Sequence, residues 1–244
     1  MKTMIWAHRG ASAVAPENTM ESFKLANEMR ADGIELDIHL SKDGHIVVAH
    51  DETIDRCSNG KGRIIDKTLS ELLQYDFSNN KDGYRNSRIP TFKQVLEFVK
   101  KTQMTINIEI KSGIVFYEGI EQKALQMVSE MGMADRVIYS SFNHYSLILI
   151  KKMNPTAPIG ILYSEVLIDP YLYAIHIKAD AIHPYYQTLM LPGTIEDCKK
   201  HQIKIHPWTV DKPDHIAWML KEQVNAIITN HPDEALRIRK SIQG

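Results

Sequence analysis

Only two of the 244 residues are cysteine, Cys57 and Cys198. They lie far apart, in neither a C-x-x-C nor a metal-finger spacing, which excludes a disulfide scaffold and leaves two reduced thiols, or at most one disulfide. An excess of either charge is also missing. Lysine plus arginine (29) nearly cancel aspartate plus glutamate (30), so there is no long-range field of the kind that draws proteins to nucleic acid or anionic membrane. Any phosphate recognition has to be local. No apolar run is long enough to span a bilayer, and the chain reaches His8-Arg9 before a signal-peptide apolar region can form. The expectation is a cytoplasmic protein with no transmembrane segment. No short repeat, low-complexity tract or linker divides the sequence, and 43% apolar with 24% charged residues is ordinary globular composition, which suits one domain over residues 1–244.

What is present is a regular alternation. Short β-branched runs occur at Met4–His8, Ile34–Ile38, Thr105–Ile110, Val137–Ser141, Ile159–Tyr163, Ala181–His183, Ile203–Thr209 and Ala226–Thr229. Between them lie helical patterns such as Glu17–Ala31 and Phe92–Lys100. Eight strand and helix units imply a parallel α/β sheet, and at this length a closed (β/α)8 TIM barrel with its site at the strand carboxyl ends. A doubly wound open sheet is the runner-up. One run breaks the pattern. His45–His50 follows the second strand after only Ser41-Lys42-Asp43-Gly44, too short for a crossover helix, so Asp43-Gly44 predicts a hairpin that folds back and sets His50 nearly opposite Asp37. The polar stretch from about 51 to 88, with a short helix at Leu69–Leu73, reads as an insertion after the second strand.

Side chains alternate faces along a strand, so Glu35 and Asp37 share one face while Ile34, Leu36 and Ile38 take the other. By the same phase Asn107, Glu109 and Lys111 point inward. Burying such a row without a purpose is expensive. Glu35, Asp37 and Glu109 form a three-carboxylate set suited to a hard divalent cation, Mg2+ or Ca2+. His8 and His50 can divide acid and base work across an anion site, with Arg9 and Lys111 as fixed positive charge for phosphate oxygens. The competing reading is a buried ion-pair network in which Lys111 and Arg9 neutralise the acids. Trp208, sharing a strand face with His206 and Lys204, is either a wall of the pocket or a core tryptophan. Pro16-Glu17-Asn18-Thr19 reads as a helix start, a structural role. His183 and His231 read as structural or exposed.

These motifs resemble the glycerophosphodiester phosphodiesterase family. The likeness runs through His8-Arg9-Gly10, Pro16-Glu17-Asn18-Thr19, Glu35-Leu36-Asp37, Lys42-Asp43-Gly44, His50-Asp51, Asp55-Arg56, Ile89-Pro90-Thr91, Glu109-Ile110-Lys111, Trp208-Thr209-Val210 and Thr229-Asn230-His231-Pro232. Ser41 and Cys57 stand where that family usually has threonine. The resemblance implies a (β/α)8 barrel that hydrolyses glycerophosphodiesters to sn-glycerol 3-phosphate and an alcohol. It also implies that His8 and His50 act as general acid and base, that Glu35, Asp37 and Glu109 bind the metal, and that Arg9 and Lys111 hold phosphate. The expected partner is thus a small-molecule glycerophosphodiester, with no nucleic acid; homo-oligomerisation is left open. Two alternatives stand beside it: a lysophospholipase D-like hydrolase on the same barrel, and a catalytically silent glycerol-phosphate-binding sensor.

Overall fold

The computed structural model describes residues 2–244. The chain begins with β1 (Met4–His8), α1 (Met20–Glu28), β2 (Gly33–Leu40) and β3 (Ile46–Val48). It continues through α2 (Leu69–Leu72), α3 (Phe92–Val99), β4 (Thr105–Ile110), α4 (Ile120–Glu130), β5 (Val137–Ser141), α5 (His144–Met153) and β6 (Ile159–Tyr163). Last come α6 (Pro170–His176), β7 (Ala181–Pro184), α7 (Thr194–Lys200), β8 (Lys204–Ile205), α8 (Pro213–Lys221), β9 (Ala226–Thr229) and α9 (Pro232–Gln243). Among the described residues no helix is long and apolar enough to cross a membrane.

Eight strands pair in parallel in the order β8-β7-β6-β5-β4-β2-β1-β9. The ends of this sheet meet without a regular ladder. Backbone bonds from Asn225 N to Ile205 O, Ile228 N to Pro207 O and Val210 N to Ile228 O, each 3.0 Å, bridge the seam. The result is a nearly closed (β/α)8 barrel, as the alternation predicts, and the open doubly wound sheet is set aside. The strand expected at Ile203–Thr209 is regular only over Lys204–Ile205. The ladder to β7 misses a bond where Pro184 has no N–H to give to His206 O, although His206 N and Trp208 N still donate to Ile182 O (3.0 Å) and Pro184 O (3.1 Å). Trp208 therefore lies beyond the strand, attached to Tyr185 by an isolated bridge.

Ile34, Leu36, Ile38, Ile106, Ile108 and Ile110 face outward into a continuous core with Phe23 of α1 and Phe92 and Leu96 of α3. A smaller cluster of Trp6, Ile138, Ala181, Ala226 and Ile228 fills the barrel interior. α1 is shorter than its Glu17–Ala31 pattern because Thr19 caps it: the Thr19 hydroxyl accepts from Ser22 N while Ser22 Oγ accepts from Thr19 N. Asn18, at φ +54°, cannot extend the helix backward.

The fold-back is an antiparallel pair, with Ile38 opposite Val48 and Leu40 opposite Ile46. Gly44 takes a positive φ of +79° at the turn. One step further Ala49 N donates to Asp37 O at 3.1 Å, so His50 is one residue past the position opposite Asp37. The stretch after it carries a core of its own, in which Ile54, Ile64, Leu72 and Phe77 pack on Val47 and Ile89.

Candidate active site

Strand register assembles the acidic group. His8 of β1 pairs with Glu35 of β2, Glu35 with Asn107 of β4, and one level up Asp37 pairs with Glu109. Glu35, Asp37 and Glu109, all buried, each offer an oxygen within 4.8 Å of the others. Burial, then repulsion from Asp37 and Glu109, pushes the Glu35 carboxyl well above its ordinary value. Burial also raises Glu109, against the pull of Lys111. Burial acts on Asp37 in the same sense, but Lys111 and Arg9 outweigh it and hold that carboxyl low. Lys111 Nζ sits 2.8 Å from Glu109 Oε1 and 3.7 Å from Asp37 Oδ1. Asp37 Oδ1 and Asn107 Oδ1 are buried with no hydrogen-bond partner. Two cations do not neutralise the cluster, so a pure ion-pair network leaves carboxylates in repulsion and an oxygen unserved. All donors are hard oxygens, a set that fits a divalent ion.

Arg9 anchors the rim. Its backbone N donates to Glu35 Oε2 at 2.9 Å, its Nη1 to Glu17 Oε1 at 2.9 Å, and its Nε lies 3.6 Å from Asp37 Oδ2. The left-handed backbone at Arg9 (φ +55°) turns both groups toward the acids. Gly10 follows because a Cβ there would stand 2.3 Å from Ser22 Oγ of α1. Asn18 Nδ2 donates to Asp37 Oδ2 at 2.8 Å. The motif does start the helix, with Thr19 as its cap, and Glu17 and Asn18 in addition hold Arg9 and Asp37 in place.

The two histidines have different supports. His8 Nδ1 lies 2.7 Å from Asn230 Oδ1, and Nε2 is 3.9 Å from Glu35 Oε2. Burial and then Arg9 push this imidazole down to about 4, so the ring is neutral at pH 7. Asn230 is held by Asp211, which accepts from its backbone N (2.8 Å) and its side-chain Nδ2 (2.6 Å). His50 Nδ1 is 2.6 Å from Asp51 Oδ1. Arg56 donates to both oxygens of Asp51 (2.8 and 3.0 Å) and to both of Glu17 (2.7 and 2.9 Å). Burial opposes ionisation of Asp51 and Glu17, but Arg56, joined by His50 at Asp51 and by Arg9 at Glu17, holds each at about 2. A chain of hydrogen-bonded side chains therefore runs His50, Asp51, Arg56, Glu17, Arg9. His39, buried on the inward face of β2, ties down the hairpin: Nε2 donates to His50 O at 3.2 Å and Nδ1 lies 2.9 Å from the Tyr117 hydroxyl.

His8, Arg9, Glu35, His50, Asn107, Glu109 and Trp208 line one cavity of about 40 Å³ at the strand carboxyl ends, with Phe142, Leu162 and Ile228. Beyond it a wider cleft of about 340 Å³ is bounded by His8, Arg9, Ser12, Glu17 and Asn230. Trp208 is half-buried; its Nε1 donates to His183 O at 2.7 Å and its ring meets Phe142 edge-on at 5.5 Å. It lines the pocket, and it keeps the phase of His206 and Lys204, whose backbone N–H groups like its own bond along β7, although the regular strand ends at Ile205. His183 is fully buried and bonded to His206 Nδ1 at 2.9 Å. Both cysteines are free. Sequence reasoning assigns no site role to Asp51, Arg56, Asp211 and Asn230, and only a helix-start role to Glu17 and Asn18, although all except Asp211 lie in the quoted motifs.

Comparison with known proteins gives a consistent result. Residues 8–234 match the model of the glycerophosphoryl diester phosphodiesterase family. A glycerophosphodiester phosphodiesterase of Caldanaerobacter subterraneus subsp. tengcongensis is 46% identical over 98% of this chain and 98% of its own length. One of Bacillus altitudinis is 37% identical over 99% of this chain and 100% of its own. Among solved structures, an Oleispira antarctica phosphodiesterase in complex with the product sn-glycerol-3-phosphate matches with a TM-score of 0.88, at 25% identity, over 98% of this chain and 97% of that one.

Proposed function

Since the chain belongs to the glycerophosphoryl diester phosphodiesterase family and is an enzyme of that class, we propose that it hydrolyses small glycerophosphodiesters to sn-glycerol 3-phosphate and an alcohol, using a divalent metal and two histidines. The observation that carries this reading is the convergence of His8, His50, Glu35 and Glu109 on one rim cavity, with Asp37 completing the acidic group. The product found with the Oleispira relative supports it. The whole chain is read as one catalytic unit, because the site draws on residues from His8 to Asn230 and β1 pairs with β9.

Glu35, Asp37 and Glu109 would hold Mg2+ or Ca2+. When bound, that ion polarises phosphoryl oxygens as a Lewis acid. Arg9 and Lys111 donate to the non-bridging phosphate oxygens, the arginine through its planar fork. His8, neutral, accepts at Nε2 the proton of a glycerol hydroxyl as that oxygen bonds to phosphorus. His50, its ring supported by Asp51, donates a proton to the departing alcohol oxygen as the P–O bond breaks. The cyclic glycerophosphate so formed is opened by water with the roles exchanged: His50 takes the water proton and His8 returns its proton to the ring oxygen. Trp208 and Phe142 form the apolar wall against which the glycerol carbons rest.

The test is release of glycerol 3-phosphate from glycerophosphocholine and a panel of other headgroups, with and without EDTA. Metal-dependent release is expected. Folded protein that releases none with any headgroup overturns the enzymatic reading, and a single-turnover experiment that traps no cyclic phosphate removes the two-step route alone.

A further inference from the structure

Resting on the proposed proton transfer at His8, we infer that Asn230 and Asp211 are positioning residues that lock His8 in the tautomer protonated on Nδ1, leaving Nε2 free to accept. The argument is one of donors and acceptors. A side-chain amide presents an acceptor at one end and donors at the other, and a half-turn exchanges them, so only its partners decide which end faces His8. A carboxylate accepts and does not donate. Asp211 Oδ1 is engaged by Asn230 N at 2.8 Å and Thr229 Oγ1 at 3.0 Å, and Oδ2 receives the side-chain nitrogen of Asn230 at 2.6 Å. That short contact pins Nδ2 toward Asp211. Oδ1 then has to face His8 Nδ1, at 2.7 Å, and an acceptor there requires a proton on Nδ1. The opposite nitrogen, 3.9 Å from Glu35 Oε2, is left with its lone pair toward the cavity that His8 shares with His50.

Asp211→Asn reverses the instruction. The introduced amide keeps its oxygen toward the backbone N of Asn230 and the hydroxyl of Thr229, so its nitrogen meets Nδ2 of Asn230, donor against donor. The Asn230 amide turns over, offers N–H to His8, and forces the proton onto Nε2. A histidine in the wrong tautomer forfeits its acid–base contribution, about 10²–10⁴-fold. The double exchange Asp211→Asn with Asn230→Asp restores complementarity, since the carboxylate now at position 230 accepts both from His8 and from the amide now at position 211.

The expected results are a 15N spectrum of histidine-labelled wild-type protein showing His8 protonated on Nδ1, and a fall of at least ~100-fold in kcat for Asp211→Asn with KM changed by less than ~3-fold. The double variant should recover at least ~10-fold of that loss. A wild-type His8 protonated on Nε2, a single variant that keeps its activity, or a double variant no better than the single overturns the inference. Thermal unfolding monitors the fold; if the single variant unfolds, the wild-type spectrum and the double variant decide. His8→Gln is assayed in parallel: an active His8→Gln removes the proton transfer on which the inference rests, whereas an inactive one beside an active Asp211→Asn removes the inference alone.

Discussion

Three carboxylates that share so small and dry a space repel one another, and removing any one alters the ionisation of the others. Glu109→Ala is expected to lose both metal binding and turnover, whereas His50→Ala loses about 10²–10⁴-fold in turnover with metal binding retained. Calorimetric metal titration beside the assay separates the two; Glu109→Ala that binds ordinary metal concentrations removes that residue from the ligand set. Glu17 carries a pH signature. Its carboxyl sits at about 2 in the folded chain against 4.5 ordinarily, through Arg56 and Arg9. A depressed carboxyl contributes stability that is complete above its unfolded value and disappears as pH falls through the folded one. Glu17→Gln should therefore be less stable than wild type at pH 7, with the gap closing between about pH 4.5 and 2, as read by urea unfolding across that range. Glu35, Asp37 and Glu109 could be recognised from sequence because strand phase alone puts them on one face. Glu17 and Asn18 were hidden because proline, acid and amide before a helix have the same composition whether they cap it or point into a site. Asp211 gave no signal, since its partners lie 18 and 19 residues away.

The hairpin is the element on which delivery of His50 depends; β3 is only three residues long, and His39 adds a bond beyond its end, to His50 O. Burial pushes His39 down to about 4, so the ring is neutral. With Nε2–H given to His50 O, Nδ1 must accept from the Tyr117 hydroxyl. Tyr117→Phe leaves that buried nitrogen unserved and should cost about 1–3 kcal/mol in urea unfolding. Because the lost bond steadies the strand that carries His50, kcat should fall more than KM rises; unchanged stability and kcat would show that the hairpin holds without this bond. The turn was readable from Asp43-Gly44, and the offset of one residue at His50 was not, because register follows from hydrogen bonds that a turn dipeptide constrains only approximately. Strand β8 is shorter than its pattern for a similar reason: Ile203–Thr209 has the right apolar rhythm, and Pro184 of its partner strand cannot donate the bond that would continue the ladder.

Across the whole molecule, the first and last parts of the chain are fastened together. Arg239 of α9 reaches the Asp32 carboxylate and also donates to Thr3 O at 2.8 Å, and Gln243 bonds to Thr3 and to Leu220 O. Arg239→Leu strands the Thr3 carbonyl and takes the cation from Asp32, which keeps only Ile5 N, and should cost about 1–3 kcal/mol, measured by urea unfolding, without changing kcat at temperatures where the variant is folded. The (β/α)8 architecture could be inferred from sequence because eight alternating units at this length have few other solutions. How the circle closes could not, because closure depends on a few backbone bonds between β8, β9 and their flanks that have no sequence signature. That closure sets where the wall can breathe. The stretch from Lys204 to Val210, bonded along β7 through the amides of Lys204, His206 and Trp208 but joined on its other side by only three backbone bonds instead of a ladder, carries Trp208 and leads straight into Asp211. Its amides should exchange with solvent ahead of those in β2 and β4 in a hydrogen-exchange measurement, and such an opening would loosen the Trp208 wall and the Asp211 support of Asn230 together. Under the proposed chemistry, substrate entry and proton placement would then depend on the same seam.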